Sequence, residues 1–450
     1  MKKYSGLILI ILLTTILLPA RLNARQAAIL DLRSQAEVID NWLEHRLNTI
    51  VPELMRREGI DMWILVAREY NEDPVLLTML PATWHAARRR TILVFHDPGE
   101  GRAVERIAVA RYDIGRFFAS AWDPDSQPDQ WARLAGIVAD RNPSRIALNY
   151  SPDFGLADGI AWTDFTELSE NLPSRYRNRI VSAENLAVGW LETRTPDEMA
   201  VYRHINRIAH QIIEEGLSEN VITPGITTTA DVQWWYRERV RELGLQVWFH
   251  PSVSVQRSEA PEHTGDFSGP AGADVIRPGD LIHMDFGITY LRLNTDTQRM
   301  AYVLRPGESE VPEGLREALK TGNRLQDILT GEFRTGRTGN EILLSALEKA
   351  KDEGITATIY THPIGYQGHG AGPTIGLWDQ QGGVPGKGDY PLYPNTAHSI
   401  ELNAEVFIPE WNRNVRIMLE EDAIFDGETV RYIDGRMTEF YVIPRVNSSK

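Results

Sequence analysis

The alternation of apolar and polar positions divides the chain into regions of different period. An unbroken apolar run covers 6–18, and a helical pattern then extends over about 26–57. "DMWILVA" (61–67) reads as a buried strand. "TILVFH" (91–96), "ERIAVARY" (105–112) and "RIALNY" (145–150) read as three more, with helical spacing at 130–140 between the last two. Strands alternating with helices predict an α/β first domain. "ETRTPDEM" then supplies a helix start, with Thr195 as N-cap, Pro196 at the first helical position and Glu198 closing a capping box. Ile205, Ile208, Ala209, Ile212 and Ile213 follow as a buried stripe. Pro224-Gly225 ends that helix, and Val232, Trp235, Val240 and Leu243 mark a second. From Val247 the pattern turns β-rich, interrupted by a helical region over about 313–353. No internal repeat is legible. The expected layout is a leader at 1–24, a smaller α/β domain at 25–185, a linker at 186–195 and a second domain at 196–450.

Composition narrows the chemistry. Lys2 and Lys3, the apolar run, Pro19-Ala20 and a small-residue site near Asn23-Ala24 have the layout of a secretory signal peptide, so a periplasmic or secreted location is expected. An uncleaved anchor is the alternative, although the run is short of the ~20 residues that a spanning helix needs. With 42% hydrophobic and 24% charged residues, the 450-residue chain can bury a sizeable core. It contains no cysteine, which removes disulfides, thiolate metal sites and cysteine nucleophiles together. Any metal must be held by Asp, Glu and His, a donor set suited to zinc, manganese, cobalt or iron. The net charge is -15, and loss of Lys2, Lys3 and Arg21 with the leader makes it -18. That balance argues against nucleic acid and anionic membranes as partners.

Several carboxylates stand where apolar residues belong. Asp285 lies inside "GDLIHMDFGITY", Asp296 heads the next apolar run eleven residues later, and Glu401 sits between Ile400 and Leu402. Two strands joined by a short turn would point both aspartates into one cavity. In "VRIMLEEDAIF" strand alternation sends Glu420 and Glu421 to opposite faces, so only one of them can point inward. His369 is flanked by glycines in "GHGAG". Singly, each has an ordinary structural explanation: Asp285 could cap a turn, Glu401 could pair with Arg416, and His369 could be a core histidine. Together they concentrate negative charge with no run of buried Lys or Arg to offset it, and one or two divalent cations would resolve the repulsion. Nucleotide-binding loops fail on inspection, since no strand-then-helix unit follows "GHGAG" and Gln381 stands where a phosphate loop needs Gly. A GxSxG motif is absent.

Asp285, Asp296, His369, Glu401 and Glu421, in that order, resemble the five metal ligands of the pita-bread metallopeptidases, the family of methionine aminopeptidase, prolidase and Xaa-Pro aminopeptidase. "IHMDFG", the eleven-residue step to "TDT", "GHGAG", "SIEL" and "LEEDAIF" carry the resemblance, and the last selects Glu421 over Glu420. The resemblance implies an α+β pita-bread catalytic domain behind the smaller α/β domain, which is similar to that of the prolidase and Xaa-Pro aminopeptidase branch. It implies two divalent ions, manganese foremost with cobalt or zinc as alternatives, bridged by Asp296 and Glu421. Asp285 would complete one shell, and His369 with Glu401 the other. A metal-bridging hydroxide would attack the scissile carbonyl of a short peptide, next to proline, with Glu401 passing the proton. A homodimer is implied as well. Departing from the pattern, Gly376 stands where a second histidine is expected and Leu419 where an arginine is; His362 is the expected substitute for the histidine. His263 resembles the histidine upstream of the first aspartate, with His250 competing for that role. Another hydrolase on this fold, or a pita-bread binding module without catalysis, are the alternatives.

Overall fold

The computed structural model describes residues 29–99, 101–259 and 273–445. The expected signal peptide at 1–24 and the candidate His263 lie outside the described residues. No helix among the described residues is long and apolar enough to cross a membrane.

The first region forms a six-stranded mixed sheet in the order Ala119–Ser120, Glu105–Val109, Arg90–His96, Met62–Arg68, Ile146–Leu148, Ile180–Ser182. After Asp61, the run read as "DMWILVA" is apolar at every position because both of its faces are covered. Trp63 and Leu65 enter a core shared with Leu43 and Leu47 of the helix Leu32–Glu58. Met62 and Ile64 enter a second core shared with Leu134 and Ile137 of the helix Gln130–Arg141.

The stretch expected as a linker is a correction. Residues Glu184–Glu192 are a helix, with Leu186, Ala187, Val188 and Trp190 almost fully buried in the first core. Its apolar sequence "LAVGWL" favours burial over a solvated connection. The capping box at Thr195 and Glu198 forms as the sequence predicts. Glu198 also receives Arg46 of the first helix at 3.0 Å, with both side chains inaccessible to water. Arg46 donates further to the carbonyls of Thr193 and Trp190. Burial would push the Glu198 carboxyl up, but the charges of Arg46 and Arg194 override it and hold the group below its ordinary range.

The second region repeats one motif twice. Helices Pro196–Gly216 and Thr229–Glu242 cover the sheet ordered Tyr441–Ile443, Thr297–Val303, Leu281–Phe286, Ser252–Gln256. Helices Glu313–Thr330 and Gly339–Asp352 cover the sheet ordered Thr356–Ile359, Leu402–Ile408, Arg413–Leu419. The second helix of each pair has 14 residues and starts in a capping box, Thr228 with Asp231 and Thr338 with Glu341. The two halves meet at a bridge between Gln298 and Glu420.

Glu192 closes the boundary between the regions. It is 2% exposed, accepts from the Tyr390 hydroxyl at 3.1 Å, and leaves Oε2 without a partner. Burial, only partly opposed by Tyr390, Arg57 and Arg194, pushes its carboxyl up to about 8 from an ordinary 4.5. Between those values the folded chain retains a proton that the unfolded chain has released, so stability falls as pH rises through this window. Glu192→Gln is therefore expected to melt above the parent at about pH 9 and not at about pH 4. Superimposable melting-temperature profiles for the two proteins would contradict this.

Candidate metal centre and active-site cleft

The seam between the two halves holds the carboxylates. Strands Leu281–Phe286 and Thr297–Val303 pair with Asp285 opposite Gln298 and His283 opposite Met300. His283 and Asp285 are two residues apart, as are Asp296 and Gln298, so each pair shares one side of its strand. All four line a cavity of about 320 Å³, together with His369, Glu401 and Glu420. One ligand atom each from Asp285, Asp296 and Glu420 lies within 4.8 Å of the others. The same holds for His362, Glu401 and Glu420, and for Asp296, His362 and His369.

Glu420, and not Glu421, is the inward carboxylate. Val415, Ile417 and Leu419 enter the helix-covered core. Counting by two therefore carries Glu421 to that side and leaves Glu420 for the cleft. Glu421 is buried, pairs with Arg299 and accepts from the Met437 amide at 2.7 Å. The expectation that Glu421 is a ligand is corrected accordingly. Arg299 is also the buried guanidinium that the sequence reading did not anticipate beside these acids.

The two histidines differ in placement. His362 is 3% exposed, and its Nε2 has no hydrogen-bond partner while lying 3.6 Å from Asp296 and 3.4 Å from Glu420. His369 is exposed at the cleft mouth, its ring edge-on to Trp248 at 5.2 Å and 4.6 Å from the His362 ring. The flanking glycines admit neighbours: a Cβ on Gly368 would meet the Trp248 indole at 2.3 Å, and one on Gly370 the Pro363 carbonyl oxygen at 2.8 Å. Glu401 does not pair with Arg416, which faces Glu405 across the strands. Instead Glu401 accepts from Gln298 Nε2 at 2.6 Å, and Gln298 Oε1 lies 2.8 Å from His283 Nε2. Burial holds His283 down to about 4, so it is neutral and its Nε2–H is the donor in this relay. Gln298, His283 and Trp248 were missed by sequence reasoning, which weighed Glu420 but set it behind Glu421; counting by two from the aspartates finds the first two.

Electrostatics sets the requirement. Burial, then the charge of Glu420, pushes Asp285, Asp296 and Glu401 well above the carboxylate range. Burial raises Glu420 to about 7 despite hydrogen bonds from Ser399 and Gln298. His362, held down to about 4 mainly by burial, supplies no compensating charge. No Lys or Arg lines the cavity among the described residues.

A family pattern described as metallopeptidase family M24 matches residues 200–425. The chain belongs to metallopeptidase family M24. Its fold, a pita-bread domain behind a smaller α/β region, is shared with solved structures. One is the X-Pro aminopeptidase of Thermotoga maritima MSB8, with TM-score 0.61 and 18% identity over 87% of this chain and 99% of that one. Another is the Xaa-Pro dipeptidase of Bacillus anthracis, with TM-score 0.57 and 18% identity over 92% and 100%. A third is the His350Ala variant of Escherichia coli aminopeptidase P, with TM-score 0.55 and 12% identity over 91% and 96%. No curated protein matches the chain.

The M24 cluster fits divalent cations on its own chemistry. Asp285 Oδ1, Asp296 Oδ1 and His362 Nε2 are buried without partners, and oxygen donors with one imidazole suit manganese, cobalt or zinc. Glu420→Gln is expected to abolish divalent binding in elemental analysis. Glu421→Gln is expected to retain it while losing about 3–5 kcal/mol of stability, because Arg299 is left buried and unpaired. The reverse pattern of metal contents would return the ligand role to Glu421.

Proposed function

We propose that the chain is a di-metal peptidase that hydrolyses short peptides at bonds next to proline. The observation that carries this reading is the convergence of Asp285, Asp296, Glu401, Glu420 and His362 in an open cleft that no Lys or Arg lines among the described residues. Proline specificity is suggested by the neighbours named X-Pro aminopeptidase and Xaa-Pro dipeptidase.

Asp285, Asp296 and Glu420 would hold one ion, and Asp296, Glu420, Glu401 and His362 the other. When bound, such ions polarise a carbonyl and lower the pKa of a water towards neutrality. Glu401 receives and returns the proton, held in orientation by the His283–Gln298 relay. Ser399 donates to Glu420 at 2.7 Å and fixes that carboxylate, and the Asp296 backbone amide donates to Asp422 at 3.3 Å, anchoring the backbone that carries Asp296. His369 at the mouth faces the substrate, between Trp248 and Tyr360. This exchanges the roles expected of the two histidines, because burial and the orphaned Nε2 favour His362 as the ligand. Manganese is the proposed metal. A periplasmic or secreted location is proposed from the signal-peptide layout of the sequence at 1–24.

Incubation of the metal-stripped chain with Gly-Pro, Ala-Pro-Ala and Met-Ala-Ser is expected to release products from a proline peptide only after manganese is restored. Cleavage of Met-Ala-Ser alone would refute the proline assignment, and cleavage of none by a metal-loaded chain would favour a binding module. His362→Ala is expected to lose metal. His369→Ala should keep its metal and lose about 10²–10⁴-fold in kcat. Equal metal content in both variants would undo the exchange of roles.

A further inference from the structure

A second cavity, of about 420 Å³, opens at the end of the first sheet and is lined only by residues between Glu69 and Gln130. None of them belongs to the metal cluster. Gln130 forms part of its wall and ties two strand ends together by donating to the carbonyls of Arg90 at 3.1 Å and Val109 at 2.7 Å. Three aromatic residues, Trp84, Tyr112 and Trp122, and four arginines, the exposed Arg88, Arg89 and Arg111 and the half-buried Arg90, line this space.

Three of these arginines are not spent on structure. Arg90, beside them, is held by Asp164 at 3.2 Å and Glu167 at 2.6 Å. Among the described residues, the guanidinium groups of Arg88, Arg89 and Arg111 make no hydrogen bond or ion pair. Arg88 lies over the Trp84 ring at 5.0 Å, and Arg111 acts on Asp123 only at longer range. Glu69 is the one carboxylate of the lining. Uncompensated positive charge gathered in one concavity stands out in a chain of net charge -15.

The backbone at the rim is a second, independent observation. Tyr70 and Arg89 adopt φ of 67° and 52°, a left-handed conformation that side-chain-bearing residues rarely hold. The Glu69 amide, next to Tyr70, donates to the Arg89 carbonyl at 2.6 Å and locks the two turns together. Conformations of this kind persist where surrounding structure imposes them, and they concentrate at ligand clamps.

We propose that this cavity binds a small anion carrying a planar ring, an aromatic carboxylate or phosphate monoester. Guanidinium forks match the anion in two-pronged geometry, and the Trp84, Tyr112 and Trp122 side chains supply apolar faces for the ring. The volume suits one such molecule.

Calorimetric titration of the full chain with phenyl phosphate, phenylacetate and benzyl alcohol tests this. At least one anion is expected to bind, and whichever binds more tightly identifies the acid group. The uncharged alcohol is expected to bind at least about tenfold more weakly. Arg88→Ala/Arg111→Ala should weaken the anion at least about tenfold, with melting temperature and hydrolysis of Ala-Pro-Ala unchanged. The proposal is overturned if neither anion binds. It is equally overturned if binding survives the double substitution, or if binding disappears when divalent metal is stripped from the otherwise unaltered chain, which would put the anion on the metal centre.

Discussion

Four carboxylates converge at one seam, Asp296 and Glu420 buried and Asp285 and Glu401 half-buried, and the repulsion among them is the constraint around which the rest of the architecture is arranged. Two unit charges 4 Å apart interact by on the order of 4 kcal/mol at a protein-like effective dielectric of about 20. Burial adds a desolvation cost to each anion, which is why Asp285, Asp296 and Glu401 are all driven well above the carboxylate range. The neighbouring histidines are neutral, so they offer ligand atoms and no charge. A site built this way is costly until cations occupy it.

The seam is shaped by period-two geometry on strands from both halves. Gln298 faces Asp285 across one ladder and bridges to Glu420 in the other half, so a single residue registers the two sheets. Arg299, one position on, points the other way and neutralises Glu421. Adjacent residues thus sort opposite tasks to opposite faces. The first region is tied to the same seam. Arg46 and Arg194 enclose Glu198 and lie over the Tyr366 ring at 5.1 Å and 4.7 Å, and the Gly365 carbonyl accepts from the Asn294 amide at 2.8 Å. The loop carrying His369 is therefore packed from behind by the helix Leu32–Glu58 and from the side by the residues that precede Asp296.

Much of this was legible in the chain. Asp285, Asp296 and Glu401 interrupt apolar runs, and a charged residue in such a place has few inexpensive explanations. The strand of 62–68 and the capping box at Thr195 follow from local pattern alone. What failed did so for identifiable reasons. The motif "LEE" permits either glutamate as ligand, and only the parity of Val415, Ile417 and Leu419 decides between them. Spacing does not rank His362 against His369, because their difference lies in burial, which tertiary packing sets. The helix of 184–192 overlaps the 186–195 stretch that reads as a linker, because a short apolar stretch has no period to declare it. The doubled helix-pair motif left no trace in residue identity, since a shared backbone plan needs only matching caps and faces.

Titration of the metal-stripped chain with manganese, followed by calorimetry, tests the central claim most directly. If uncompensated buried carboxylates define this site, two ions bind per chain, and the melting temperature rises with free metal as expected for a ligand of the native state alone. A chain that binds no divalent ion, and whose melting temperature is indifferent to manganese, would contradict the account.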